Sequence, residues 1–262
     1  MKKITSDFIL DFRNNDYPYL EEINEGILKQ IAIIGEGACI LDVGAGRGAL
    51  GEALHAMGYY VCAIESNTHA AMEASSRVDQ VICADLLNLE EINNLLNRKK
   101  FKYIIFSDVL EHFFDPLQVL HSYLPLLAED GELLVSVPNA VNWLNRIKIM
   151  LGLFHYEMSG VMDRTHIRFF TYRSAKQLMR ASGCILERVD STPFLMRAFL
   201  PMIKALLNKT NSPIEAYSNS KNIIESPLYQ FYKKYVYPLE YCVHRILPSL
   251  FAFRIILVAR KR

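Results

Sequence analysis

The feature that most limits how this chain can fold is the stretch ACILDVGAGRG from Ala38 to Gly48, an apolar run that ends in an acid and three glycines. Apolar residues then recur at Leu50, Leu54 and Met57, the spacing of one helix face. A buried strand that turns through glycines into a helix is one half of a strand–helix–strand unit. The same alternation continues. YYVCAIE (59–65) reads as a second strand, followed by a helix with Asn67 at its N-cap, and QVICAD (80–85) as a third. KYIIFSDV (102–109) reads as a fourth, Pro116 opens the helical stretch LQVLHSYLPLLAEDG, and GELLVSVPN (131–139) follows as a fifth. Apolar strands without polar alternation, separated by helices, predict an open, largely parallel sheet covered on both faces. Ligands of such sheets bind beyond the carboxyl ends of the strands.

A helix over TYRSAKQLMRASG ending at Gly183, a strand CILERVDS (184–191) and a last strand FRIILVARK (253–261) complete the core. The boundaries expected are an N-terminal helical cap over 1–37, a core over 38–191, a helical, aromatic-rich insertion over 192–252, and the last strand within 253–262.

Composition narrows the function. With 51% hydrophobic and 22% charged residues the 262-residue chain is globular, one large domain or one domain with an appendage. Lys+Arg 29 against Asp+Glu 28 gives a formal charge of +1, too little for a polyanion-binding field, so no nucleic-acid partner is expected. Five cysteines at 39, 62, 83, 184 and 242 stand singly, which fits a reducing, cytoplasmic setting. Asp7 and Asp11 interrupt the N-terminal apolar stretch before it becomes a signal sequence, and no apolar run reaches the ~18 residues of a spanning helix.

The glycine loop admits two ligands. Gly44, Gly46 and Ala49 satisfy the dinucleotide pattern, with Glu65 21 residues beyond Gly44 where a ribose-binding acid belongs. Asp42 argues against a diphosphate there, since like charges ~4 Å apart cost roughly 4 kcal/mol at an effective dielectric near 20. An acid at that place suits a cationic guest carrying an ammonium and a sulfonium, which S-adenosylmethionine does. Its bland role would be a partner for the following helix N-terminus.

LDVGAGRG, the acid of AIE, CADL and SDVLEH, each at a strand end and in this order, resemble the class I S-adenosylmethionine-dependent methyltransferases. The resemblance implies a Rossmann-like seven-stranded, mostly parallel sheet whose last strand is reversed. It implies that Asp42, Gly44, Ala45 and Gly46 cradle the methionine tail and that Glu65 takes both ribose hydroxyls. It further implies that Asp85 and the Leu86 backbone bind adenine, and that Ser107 and Asp108 line the cofactor near the methyl.

A dehydrogenase-like Tyr172-x-x-x-Lys176 with Ser159 upstream competes with this reading, but Leu50 stands where that family's third glycine belongs. Tyr172 is therefore expected to pack or cap. A base for the acceptor is expected from His112, His166 and Glu111, with Asp108, Asp163 and Arg164 nearby in SDVLEH and DRTHIRFF. Asp108, Glu111 and His112 at i, i+3 and i+4, together with His166, are similar to the metal set of ubiquinone-pathway O-methyltransferases, with Asp108 in place of a Glu; the metal is open and not favoured.

WLNRIKIMLGLF reads as an amphipathic helix, and the insertion interleaves tyrosines with bases. Core packing, a homodimer interface and peripheral membrane contact all remain open. The expected activity is methyl transfer to an oxygen of a small-molecule, sugar or lipid-linked acceptor. The alternatives are a non-catalytic adenosylmethionine-binding protein and an NAD-linked oxidoreductase.

Overall fold

The computed structural model describes residues 23–33, 37–97, 99–157, 160–194 and 231–262. Residues 1–22 of the expected cap and 195–230 of the expected insertion lie outside the described residues. The chain divides into two compact units, one of residues 1–140, 155–190 and 254–262 and the other of 141–154 and 191–253.

In the first unit, β1 (Cys39–Val43), β2 (Tyr60–Glu65), β3 (Gln80–Cys83), β4 (Phe101–Ser107) and β5 (Leu127–Pro138) alternate with α2 (Ala49–Ala56), α3 (Thr68–Ala74), α4 (Leu89–Leu95) and α5 (Pro116–Tyr123). A single turn, α1 (Glu25–Leu28), precedes them, and α7 (Tyr172–Ala181), β6 (Ile185–Pro193) and β7 (Ala252–Arg260) follow. The seven strands form one sheet in the order β3-β2-β1-β4-β5-β7-β6. The pairs from β3 to β5 are parallel, and β5 pairs with β7 antiparallel, from Glu132 opposite Arg260 to Pro138 opposite Arg254. The Rossmann-like expectation, with its reversed strand, holds.

Why these strands lack polar alternation is visible in the core. Leu41, Val43, Cys62, Ile64, Ile104 and Phe106 bury into one cluster, and Ile40, Val61, Tyr103 and Ile105 into a second. Consecutive side chains point to opposite faces, and both faces are covered, so the central positions of these strands are apolar on both sides. Val119, Leu120 and Tyr123 of α5 cover the first face, Leu50 and Leu54 of α2 the second.

Local signals set most helix starts. Asn67 accepts from the Ala70 amide at 2.9 Å, and Asp115 accepts from Leu117 and Gln118 ahead of Pro116. Thr171, rather than Tyr172, caps α7 through a reciprocal pair with Ser174. The helix expected over LQVLHSYLPLLAEDG stops at Tyr123, because Pro125 withholds the amide needed to continue it, and β5 begins earlier than expected, at Leu127.

Strand order reverses between β1 and β4, whose neighbours run outward in opposite directions. That reversal opens a crevice at their carboxyl ends. Because β7 runs backwards, it delivers the start of the strand, Arg254, to this same edge beside Pro138.

In the second unit, α6 (Trp143–Met150) is capped by Asn142, and a π-helical turn (Tyr232–Val236) leads into α8 (Tyr237–Ile246). Of the expected insertion, residues 192–193 finish β6 and the described stretch before β7 is mostly helical, while the segment 141–154 groups with it, a partition not apparent in the sequence. No helix among the described residues is long and apolar enough to cross a membrane.

Candidate active site

The loop after β1 is built for close approach. Gly44, Gly46 and Gly48 have φ of 73°, 55° and 82°, the left-handed region that side chains disfavour. A Cβ on Gly44 would lie 2.7 Å from Val109 Cγ2. The Gly44 and Ala45 amides donate to the Ile64 carbonyl, and the Gly46 amide donates to Glu65 Oε2 at 2.8 Å. The loop thus folds back over the end of β2.

Asp42 sits under this loop, buried, and its Oδ2 has no hydrogen-bond partner. Burial first, and the neighbouring Glu65 charge second, push its carboxyl up to about 7. An orphaned carboxylate oxygen in a dry site is a vacancy for a donor or a cation. Glu65 itself is buried at the end of β2, accepting from the Gly46 and Asn67 amides at 2.8 Å each. A carboxylate offers about four acceptor positions, so it retains capacity for a diol. These features fit the group expected from the sequence, a nucleoside bearing a cationic tail.

Asp85 is exposed beyond β3 and closes a turn by accepting from the Leu87 amide at 3.0 Å. Leu86 is buried, and its carbonyl accepts from Tyr123 Oη at 2.8 Å, which leaves the Asp85 carboxylate and the Leu86 amide as the atoms relevant to a base. Burial and the Asp85 charge raise the Tyr123 phenol, so it stays a donor.

The β4 end is more constrained than its sequence suggested. Ser107 Oγ and Ser136 Oγ both accept from Asn24 Nδ2, at 3.0 and 2.9 Å. Asp108 adopts φ 54°, donates its amide to the Ser136 carbonyl and Oγ, and accepts from Ser136 Oγ at 2.8 Å. Its other oxygen is ion-paired to Arg254 Nε. Asp108 therefore does not share one α-helical turn with Glu111 and His112: the left-handed residue breaks the turn, and a 3-10 segment, Leu110–His112, begins after it. The carboxylate committed to Arg254 and Ser136 is not part of the ligand trio that converges here, which is Glu111, His112 and His166.

Those three meet tightly. The His112 and His166 rings are edge-on with centroids 4.8 Å apart, and His166 Nε2 lies 3.8 Å from Glu111 Oε1. Each imidazole directs Nδ1 at a backbone carbonyl, His112 at Thr165 (3.2 Å) and His166 at Val161 (3.1 Å). A carbonyl only accepts, so Nδ1 carries hydrogen and Nε2 carries the lone pair. Burial, with the neighbouring His166 second, drops the His112 ring to about 4, and burial likewise lowers His166. Glu111 is buried with neither carboxyl oxygen partnered; desolvation, then the Asp108 charge, hold it well above the carboxylate range. Both imidazoles are therefore neutral near neutral pH, and burial disfavours the charged form of Glu111 beside them. The Glu111 carbonyl also accepts from the Ile167 and Arg168 amides, which pins the DRTHIRFF loop to the β4 end. Asp163 takes a structural place there, accepting from Thr165 N and Oγ1.

Three residues of this edge escaped the sequence reading: Asn24, Ser136 and Arg254. Ser136 and Arg254 did leave a signal, as lone polar residues inside ELLVSVP and FRIILVA. Asn24 left none. Of the dehydrogenase-like set, Ser159 lies outside the described residues, while Tyr172 packs on the core with Lys176 Nζ over its ring at 5.7 Å.

A glycine loop beside a buried acid, a second acid at the end of β2, and a sheet closed by one reversed strand define a nucleoside-binding methyltransferase architecture. Comparison with known proteins agrees. The profile of the methyltransferase domain family matches residues 14–189. The ubiquinone biosynthesis O-methyltransferase of Glaesserella parasuis is 30% identical over 174 residues, covering 64% of this chain and 72% of that protein. Among solved structures, a SAM-dependent methyltransferase from Archaeoglobus fulgidus superposes with TM-score 0.54 at 17% identity, over 90% of this chain and 92% of that one. Phosphoethanolamine N-methyltransferase 2 of Haemonchus contortus, solved with S-adenosyl-L-methionine, gives TM-score 0.52 at 16% identity over 91% and 52%. The chain belongs to the methyltransferase domain family. It is a class I S-adenosylmethionine-dependent methyltransferase.

Proposed function

We propose that the chain methylates an oxygen of a small acceptor, a hydroxyl on a free, sugar or lipid-linked molecule, using His166 as the base. The observation that carries this is the buried cluster in which the His112 and His166 rings meet edge-on, centroids 4.8 Å apart, and His166 Nε2 lies 3.8 Å from a Glu111 carboxyl that has no hydrogen-bond partner. The relatives at about 30% identity bear O-methyltransferase names, which favours oxygen over nitrogen.

S-adenosylmethionine supplies a methyl group on a sulfonium, a good leaving group, so the protein's work is positioning and proton removal. Asp42 accepts the cationic tail beneath Gly44, Ala45 and Gly46, Glu65 takes the ribose hydroxyls, and Asp85 with the Leu86 amide holds the base. Ser107 and Asp108 border the reacting end. His166 Nε2 would take the proton that the acceptor hydroxyl loses on methylation, the sulfonium leaving as a neutral thioether. His112 packs edge-on against that ring and keeps it dry, and the Glu111 carboxyl 3.8 Å away faces the nitrogen that gains the proton. We place this chemistry in the cytoplasm, in keeping with five unpaired cysteines.

Replacing His112 and His166 together by Ala tests the roles: transfer of labelled methyl should vanish while calorimetric affinity for S-adenosylmethionine stays within about twofold. Loss of that affinity would make the pair architectural and remove His166 as the base.

A divalent cation is the second reading, because the Glu111, His112 and His166 ligand atoms lie within 4.8 Å of one another. Tetrahedral ligands ~2.1 Å from a metal stand roughly 3.4 Å apart, so the trio would have to contract. Undiminished turnover after exhaustive chelation eliminates it.

A further inference from the structure

The second unit wears its apolar residues outward. In α6 the deeply buried residues are polar: Asn145, with the cap Asn142. Ile147, Ile149 and Met150 are exposed, and the apolar run continues, exposed, through Leu151, Leu153 and Phe154. The helical stretch around α8 repeats the inversion. Glu240 and His244 are its buried residues, His244 with Nδ1 2.7 Å from the Tyr241 carbonyl and Nε2 3.0 Å from that of Ser191. Phe231, Tyr235, Leu239, Val243 and Ile246 are exposed, at intervals of four, four, four and three residues. That spacing places them in one solvent-facing stripe.

Charge is one-sided among the described residues of this unit. Arg146, Lys234 and Arg245 are exposed and Lys148 is half-buried, while the one acid among its described residues, Glu240, is only 2% exposed. The chain as a whole is balanced, with Lys+Arg 29 and Asp+Glu 28, so the bias is local. Arg146 Nη2 reaches the Ser249 carbonyl at 3.4 Å, linking α6 to the turn that follows α8.

An exposed apolar stripe flanked by bases, with no exposed acid among the described residues of the unit, is the pattern of a helix lying in a lipid interface, where aliphatic side chains enter the acyl boundary and bases meet anionic headgroups. A second copy of the chain fits less well. A two-fold interface would set the same cations against themselves. We propose that α6 and α8 seat this unit on a bilayer containing anionic lipid, which would bring the methyltransferase to membrane-borne acceptors.

The test is flotation of the full chain with phosphatidylcholine vesicles and with vesicles containing about a quarter phosphatidylglycerol. Binding is expected to the anionic vesicles and to fall severalfold between low and high salt. The double variant Leu239→Glu, Ile246→Glu should weaken it by about tenfold while leaving calorimetric S-adenosylmethionine affinity unchanged. That second readout keeps this surface separate from the catalytic reading, on which it does not depend. The proposal is overturned by absence of flotation at any phosphatidylglycerol content, by a double variant that floats as well as the parent, or by self-association without lipid that the double variant abolishes.

Discussion

Arg254, near the start of the last strand, closes on the carboxylate of Asp108, at the end of the fourth, across a sequence separation of 146 residues. The pair ties the antiparallel β5–β7 pairing to the crevice of the parallel strands, because reversal of β7 is what puts the start of that strand at their carboxyl ends. Asp108 holds φ 54°, a conformation costing on the order of 1 kcal/mol for a non-glycine residue, and Arg254 and Ser136 keep it there.

Removing the cation should therefore be felt globally. Breaking a buried pair costs about 3–5 kcal/mol, discounted to roughly 2–3 here because Asp108 keeps 23% side-chain exposure. Arg254→Met is expected to shift the urea midpoint accordingly. An unchanged midpoint would show that Asp108 needs no counter-charge.

Asp42 gives the cofactor a pH dependence. Its carboxyl sits at about 7 in the ligand-free protein against an ordinary value of 3.8, and a cationic guest prefers the ionised form. Affinity measured by calorimetry should rise with pH up to about 7 and then level, with proton release on binding below that point. Asp42→Asn should abolish the dependence and weaken binding by about tenfold or more.

The same group acts oppositely on stability. The native state holds a proton that the unfolded chain has released above pH 3.8, so ligand-free stability should fall as pH rises from about 4 to about 7. Asp42→Asn removes that contribution, and thermal melts across the range would reveal it. A parent and variant with parallel pH profiles would refute the assignment.

Gly44→Ala should damage fold and site together. Its φ of 73° and a Cβ 2.7 Å from Val109 Cγ2 predict a loss of about 1–3 kcal/mol, with a larger proportional loss of cofactor affinity. Val109→Ala in the same chain should recover part of it, since the clash is with that side chain. Absence of any recovery would assign the whole cost to the backbone angle.

The acid limb of turnover reports the histidines. His112 is held at about 4 and His166 is also lowered, so at saturating cofactor kcat should stay flat well below the ordinary histidine value of 6.5. A limb at 6.5 would mean an exposed base elsewhere does the work. Glu111→Gln, which keeps the shape and removes the charge that burial disfavours, should leave the melting temperature within a few degrees.

Much of this protein was legible in order of residues. Unbroken apolar strands announced a sheet covered on both sides, Asn67 and Pro116 marked helix starts, and Asp42 beside the glycines pointed to a positively charged guest. The helix through LQVLHSYLPLLAEDG was overextended because its apolar periodicity outweighed Pro125. The metal-like spacing of Asp108, Glu111 and His112 misled for a related reason: i, i+3, i+4 implies one face only if the backbone is helical, and Asp108 is left-handed.

Sequence by itself determined which segments are strands, where the glycine loop lies and that its floor is acidic, since all of these are encoded by neighbours within a few residues. Tertiary structure alone decided that Arg254 and Asn24 belong to the crevice, that Glu111 is stripped of partners, and that two helices face their apolar sides outward. Each of those depends on what the rest of the chain covers, and burial is a property no local pattern carries.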